Sequence, residues 1–260
     1  MPTDIIIHIP HASTFIPDDE VEKLAIPAEE RERELLRMTD RYTDELFDLG
    51  ADAVPIVYRY SRLVADPERF ADDEKESMAK QKGMGAVYIK TSSGEPLRPP
   101  LTAEERQRLL RTYYCPHHRK LEQVVREALG ENKQCLIIDV HSFPSSPLLC
   151  DLDQTPNRPD ICIGTDTFHT PDRLQQAAVD AFEAAGWSVE TNRPYKGTMV
   201  PTAFYRKDSR VRSIMVEVNR ALYMNEQTAN RLPQFDVVKR KLQLALRTMI
   251  REFREARREA

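Results

Sequence analysis

The stretch Ile5-Ile6-Ile7-His8-Ile9-Pro10-His11 decides the fold class: a β-branched run closed by a proline, with a histidine directly after it. Runs of this kind read as buried parallel strands, because helices cover both faces of a parallel sheet. Two later stretches repeat the pattern. Leu136-Ile137-Ile138-Asp139-Val140 leads into His141, and Ile214-Met215-Val216 leads into Glu217. Open α/β sheets place ligands just beyond the carboxyl ends of their strands, so His11, His141 and Glu217 are expected to converge at one rim.

Outward from these runs, strand-like segments alternate with helical stripes, the pattern of a layered α/β protein. Residues Glu29 to Asp48 carry apolar positions at helical spacing (Leu35, Leu36, Thr39, Tyr42, Thr43, Leu46, Phe47), which predicts one helix stopped at Gly50. Val54 to Tyr60 reads as a strand. Residues 67–101 are polar and proline-rich, with only a brief strand-like patch at Ala86 to Ile89, and are expected to form a long loop or small lobe near the active site. Thr102 and Glu105 make a capping pattern, and Pro116 is expected to kink or restart the helix that follows, with His118 on its inner face. A helix from Pro171 to Ala185, a strand over Trp187 to Glu190 and a closing amphipathic helix (Val238, Leu242, Leu246, Met249, Phe253) complete the pattern.

At 260 residues and 40% hydrophobic, the chain supports one core and a single domain over 1–260. The net charge of −4 gives no basic excess for binding nucleic acid. No apolar run approaches the ~20 residues of a membrane span, and Met1 to Asp4 lead into the first strand without a signal-peptide pattern, so a soluble cytoplasmic protein is expected. The four cysteines lack metal-site spacing and read as free thiols. Nothing in the pattern specifies an oligomer.

A catalytic zinc takes three protein ligands and keeps a fourth position open, so two histidines need a carboxylate. Asp40 and Asp44, at i and i+4 on the expected helix, are the candidates, and the sequence leaves the choice between them open. Asp139 stands two residues before His141, on the same side of its strand, and is placed to orient that imidazole through its other ring nitrogen. Each residue taken singly has an ordinary explanation: a hydrogen-bonded strand-end histidine, a solvated acidic edge, an ion pair between Glu217 and the nearby Arg220. The joint pattern is what favours a metal.

Several stretches then resemble, in order, the N-formylglutamate amidohydrolase family. His8-Ile9-Pro10-His11-Ala12-Ser13 resembles its Pro-His-Ser-Gly opening, Asp40 to Phe47 its Asp-x-x-x-Asp-x-Leu segment, and Ser61 to Phe70 its Arg-x-x-x-Asp-x-x-Arg segment. Tyr113 to Leu121, Asp139-Val140-His141-Ser142, Asp160 to Thr165, Asn192 to Gly197 and Glu217 to Tyr223 continue the match, which covers about residues 5 to 223. The resemblance implies a three-layer α/β/α sandwich with a central mixed, mostly parallel sheet, phosphorylase/hydrolase-like and related to the zinc carboxypeptidases. It implies a zinc-dependent amidohydrolase acting on a small acyl amino acid such as N-formylglutamate. His11 and His141 correspond to zinc ligands and Glu217 to the catalytic glutamate. Carboxypeptidases carry their acidic ligand three residues after the first histidine, where this chain has Thr14, so Asp40 or Asp44 must substitute.

Zinc would bring its bound water to a pKa of about 7, with Glu217 as the general base that becomes the acid. Arg62 is the candidate for oxyanion stabilisation, although Asp66 four residues on offers it an ordinary ion pair. Arg69, Lys196, His118, Asn219 and Arg220 are the candidate substrate contacts, with Asp66 and Asp139 supporting the ligands. His169 reads as pocket wall or cap, and His8 and His117 read as structural. Two departures from the family pattern, Ala12-Ser13 and Asp66-Pro67-Glu68-Arg69 in place of Asp-Leu-Asn-Arg, bear on substrate identity, since Glu68 is expected to repel an anionic substrate. The rival readings are a peptidase-like or cell-wall-fragment metallohydrolase on the same scaffold, and a non-catalytic acyl-amino-acid binding protein.

Overall fold

The computed structural model describes residues 3–72 and 81–255. Its helices are α1 (Asp18–Val21), α2 (Ala28–Met38), α3 (Thr43–Leu46), α4 (Ala103–Leu109), α5 (Cys115–Asn132), α6 (Asp172–Ala184) and α7 (Phe235–Glu255). The strands β1 (Ile5–Ile9), β2 (Val54–Val57), β3 (Cys135–Phe143), β4 (Ile161–Gly164), β5 (Val189–Thr191) and β6 (Val211–Asn219) form one sheet in the order β2-β1-β3-β6-β4-β5. Every pairing is parallel except β4 with β6. The fold is therefore α/β with a central mixed, mostly parallel sheet.

Alternation along the strands assigns each side chain to a face. Ile5, Ile7, Ile9, Leu136, Ile138, Val140, Ile214 and Val216 pack with Leu174 and Phe182 of α6 and with Leu242, Leu246 and Met249 of α7. Ile6, Ile56, Ile137 and Val211 pack on the other face with Leu121, Val125 and Leu129 of α5. Each such Ile or Leu gains about 1.5–3 kcal/mol from burial, which is why both faces are covered. The parity then places the polar residues. His8 follows Ile6, and Asp139 and His141 follow Ile137, on the α5 face, while Glu217 joins them by its register with His141.

The expected single helix over Glu29 to Asp48 is two helices with a break. After Met38 the chain leaves helical geometry at Thr39, and Tyr42 takes a left-handed conformation with φ 69° before α3 begins. The Asp40 N–H donates to the His11 carbonyl at 2.9 Å, and Thr43 Oγ1 donates to the Asp40 carbonyl at 2.8 Å. These bonds dock the break against the end of β1, and tertiary contact overrides helical propensity. Asp40 and Asp44 thus do not lie one turn apart on a helix.

Smaller expectations shift as well. The Ala86 to Ile89 patch forms bends and not a strand, beside an isolated bridge between Lys90 and Pro96. β2 is shorter than the expected Val54 to Tyr60, and β5 begins later than Trp187. The Thr102 capping box is present, and a π-helical turn over Leu110–Tyr114 widens the backbone just before Pro116, which lies in the first turn of α5. Proline has no N–H to donate, so a widened turn accommodates it without a lost bond.

Of the long 67–101 segment, residues 73–80 lie outside the described residues, as do 1–2 and 256–260. Met84, Ala86, Val87, Tyr88 and Leu97 pack in a separate apolar cluster with Leu35, Met38, Leu63 and Leu109. The buried Glu34 fastens this segment to α2, accepting from the Ser92 N–H at 2.6 Å and from Ser92 Oγ at 2.8 Å. Among the described residues, no helix is long and apolar enough to cross a membrane.

Candidate metal centre and active site

His11 stands just past the end of β1, His141 lies near the end of β3, and the α2–α3 break carries Asp40 to both. The three are 3%, 5% and 2% exposed. His11 Nδ1 lies 3.2 Å from His141 Nδ1, His141 Nδ1 lies 3.1 Å from Asp40 Oδ2, and His11 Nδ1 lies 3.5 Å from the same oxygen. A tetrahedral zinc with bonds of about 2.0–2.1 Å separates its ligand atoms by about 3.3–3.4 Å. The observed triangle has those dimensions.

The outer nitrogens support this arrangement. His11 Nε2 donates to Asp66 Oδ1 at 2.8 Å, which leaves the ring lone pair on Nδ1, facing inward. His141 Nε2 lies 3.2 Å from Asp139 Oδ1, at an angle too poor for a hydrogen bond. Three acceptor-capable atoms therefore meet in a buried space where only a cation relieves their repulsion, either a proton on His141 or a metal ion. Burial lowers the His141 pKa, but Asp139 and Asp40 together hold it well above its ordinary value. Burial likewise raises Asp40, yet bonds to His11 and His141 and the nearby Arg220 hold it well below the usual carboxylate range.

Arg220, expected to contact substrate, lines the cavity described below and also braces the acidic corner. It donates to Asp40 Oδ1 at 2.8 Å, to the Arg37 carbonyl at 2.6 Å, and to the Ser142 side chain and carbonyl at 3.1 and 3.2 Å. Asn219 does not line the cavity; it accepts from the Ala221 N–H and donates to the Pro159 carbonyl. Asp44 is exposed and lies outside the cluster.

Glu217 is 7% exposed, and its Oε2 has no hydrogen-bond partner. Burial, resisted by His141 and reinforced by Asp40, pushes its carboxyl up to about 8. Glu217, His11, Asp40 and His141 all line a cavity of about 880 Å³. Arg62, Arg69, His118 and Lys196 line it too. Arg62 donates to Asp66 Oδ2 at 2.7 Å and to the Tyr88 hydroxyl at 3.0 Å, so the ion pair foreseen from its spacing is formed. His118 stacks on Tyr114 at 4.0 Å and donates to the Pro67 carbonyl; burial, with His8 adding, lowers it to about 4. Lys196 is exposed on the cavity wall.

His8 and His117, expected to be structural, and Glu68, expected to repel substrate, form a second, largely buried cluster with Asp139. His8 Nδ1 is 2.8 Å from Asp139 Oδ1 and 3.1 Å from Glu68 Oε1, and His8 Nε2 is 2.8 Å from His117 Nε2. Burial lowers His8, but Asp139 and Glu68 raise it to about 9, while burial and His8 push His117 down to about 2. Glu68 thus shares His8 with Asp139, a contact that tempers the repulsion expected of it. The 2.8 Å contact has hydrogen-bond length and is short for two ligands of one ion, so this cluster reads as a proton-bearing network. The available signal was a histidine inside an otherwise apolar buried strand, since such a group needs a polar partner.

The sequence profile of the N-formylglutamate amidohydrolase family matches residues 3–224. The chain belongs to this family. An N-formylglutamate deformylase from Pseudomonas aeruginosa is 29% identical over 205 residues, covering 75% of this chain and 74% of that protein. Among solved structures, an N-formylglutamate amidohydrolase from Ralstonia eutropha JMP134 superposes with a TM-score of 0.80 at 24% identity, covering 97% of this chain and 95% of the other. A gene product from Agrobacterium tumefaciens reaches 0.70 at 20% identity over 95% and 90%. These two likenesses establish that the family fold extends over nearly the whole chain. Within the N-formylglutamate amidohydrolase fold, the cluster of His11, Asp40, His141 and Glu217 occupies the carboxyl-end rim of the sheet, where α/β proteins place their ligands.

Proposed function

We propose that this protein is a zinc-dependent amidohydrolase that cleaves the amide bond of N-formylglutamate or a closely similar N-acyl amino acid, releasing the acid and the free amine. Family membership supports the reaction class, and the observation that carries the metal chemistry is the triangle of His11 Nδ1, His141 Nδ1 and Asp40 Oδ2, with sides of 3.1 to 3.5 Å. These three residues would hold a zinc ion, which would supply an acidified water and polarise the amide carbonyl.

The remaining work belongs to the protein's own side chains. Glu217, with an unpartnered oxygen in the cavity, takes a proton from the attacking water when in its ionised form, and its raised proton affinity suits it to hold that proton until it passes to the departing nitrogen. Arg220 and Asp66 hold Asp40 and His11 in place and leave the cavity side open. Arg62, Arg69 and Lys196 place cationic groups on the cavity wall that suit the carboxylates of an acyl amino acid. The contact of Glu68 with His8 tempers the electrostatic objection to such a substrate.

The deciding experiment measures formate and glutamate released from N-formylglutamate by chelator-treated protein, before and after zinc is restored, alongside N-acetyl and peptide substrates. Turnover that returns with zinc and prefers the formyl substrate is the expected result. Equal turnover with and without zinc, or hydrolysis of the peptide alone, would overturn it.

A further inference from the structure

The Asp139 carboxylate sits between two histidines and is bonded unequally to them. Its Oδ1 lies 2.8 Å from His8 Nδ1 in a well-formed hydrogen bond, but 3.2 Å from His141 Nε2 in a misaligned contact. Its Oδ2 accepts from the Met199 N–H at 2.9 Å, which leaves Oδ1 alone to serve both rings, and Oδ1 lies closer to His8. The arrangement follows from strand register. His8 is the direct partner of Asp139 in the β1–β3 pair, and His141 lies two residues beyond Asp139 on the same face. His8 is itself locked from behind by His117, at 2.8 Å between the two Nε2 atoms, and has Glu68 Oε1 3.1 Å from its Nδ1.

A carboxylate bonded squarely to the outer N–H of a metal-ligating imidazole makes that ring a stronger donor. Here the same oxygen is drawn to a second histidine that never reaches the cavity, since His8 is fully buried and is not among the residues lining it. We infer that His8 is a positioning residue of the metal centre: by holding Asp139 Oδ1 it keeps that carboxylate off the axis of the His141 Nε2–H, and so limits how strongly His141 donates to the ion. This rests on the proposed role of His11, Asp40 and His141 as ligands. Its consequence runs against the usual effect of damaging a buried network, because loss of the His8 donor frees Asp139 to align with His141 and tightens metal binding.

The test is the zinc dissociation constant, measured by competition with a chromophoric chelator at fixed pH, for the full chain and its variants. His8→Leu removes the donor, whereas His8→Asn keeps an N–H close to the position of Nδ1. Should His8→Leu fail to fold, His8→Gln, whose amide reaches the Nε2 position instead, takes its place. The expected result is zinc binding tighter by about tenfold in His8→Leu, near-parental binding in His8→Asn, and no effect of the His8 change in an Asp139→Asn background. A structural role alone would loosen zinc and lower stability in proportion. Unchanged or weaker binding in His8→Leu, or equal behaviour of the Asn and Leu variants, overturns the inference while leaving the ligand assignment intact. Failure of the parent protein to bind zinc overturns both, and is distinguished by that control.

Discussion

Glu217 stands directly opposite His141 in the parallel β3–β6 pair, and it keeps a buried oxygen with no hydrogen-bond partner. A buried, unsatisfied carboxylate is costly, and the cost here is met by holding a proton: burial, with Asp40 and Asp139 adding to it against His141 and Arg220, pushes the group up to about 8. The folded protein therefore binds a proton that the unfolded chain, with an ordinary value of 4.5, releases.

The sign of the linkage follows. Stability contributed by this group falls as pH rises from 4.5 to about 8 and is constant above that. Glu217→Gln removes the titration while keeping the shape. In chelator-treated protein, the thermal midpoint of Glu217→Gln should exceed that of the parent by a margin that widens through this window. A margin independent of pH would show that Glu217 is not the group responsible. With zinc restored, the same variant should retain the metal and lose turnover by about 10² to 10⁴-fold.

Ligand identity separates two aspartates that the sequence could not. Asp40→Asn, His11→Ala and His141→Ala should each lose most bound zinc on dialysis, and Asp44→Asn should keep it, because Asp44 is exposed and outside the cluster. Zinc content by elemental analysis checks this. Full occupancy in Asp40→Asn would remove the α2–α3 break from the site.

The strand-end residues were legible because their signal is local: a β-branched run fixes a buried strand, and its last residue fixes the rim. Asp40 was not. The helical spacing of Leu35, Thr39, Tyr42 and Leu46 continues straight through the break, and what breaks the helix is a backbone bond to His11 and the pull of His141 and Arg220 on one carboxylate. The pairing of His8 with Glu68 and His117 was hidden for the same reason, since it joins a strand, a loop and a helix far apart along the chain. Alternation from Ile6 does place His8 on the face shared with Asp139, but only once the β1–β3 register is known.

Arg220 follows the motif glutamate closely enough to suggest a substrate clamp, yet its bonds go to Asp40, Ser142 and the Arg37 carbonyl. Removing one partner of a buried ion pair leaves the other charge uncompensated, at a cost of about 3–5 kcal/mol. Arg220→Ala should lose stability of that order in urea unfolding and bind zinc more weakly. Arg220→Lys should recover little of either, because a single ammonium cannot reach acceptors spread around a planar fork. A variant of normal stability with a raised KM alone would show that Arg220 serves the substrate and not the acidic corner.

Lys196 and Arg69 are cationic side chains of the cavity wall, and Arg69 Nε lies 3.9 Å from Asp66 Oδ2. Under the proposed function their charge would serve substrate carboxylates equally in the ground and transition states. Loss of such a contact, worth about 1.5–3 kcal/mol, should raise KM about ten- to a hundredfold with kcat nearly unchanged. Lys196→Ala is the cleaner probe, since Lys196 is exposed and its removal disturbs no packing. Arg69→Ala should show the same KM effect with a further fall in kcat if its proximity to Asp66 steadies His11. Steady-state kinetics on N-formylglutamate, with zinc content measured on the same samples, separates the two. A Lys196→Ala enzyme whose kcat falls as far as its kcat/KM would place the lysine in the chemistry and not in binding.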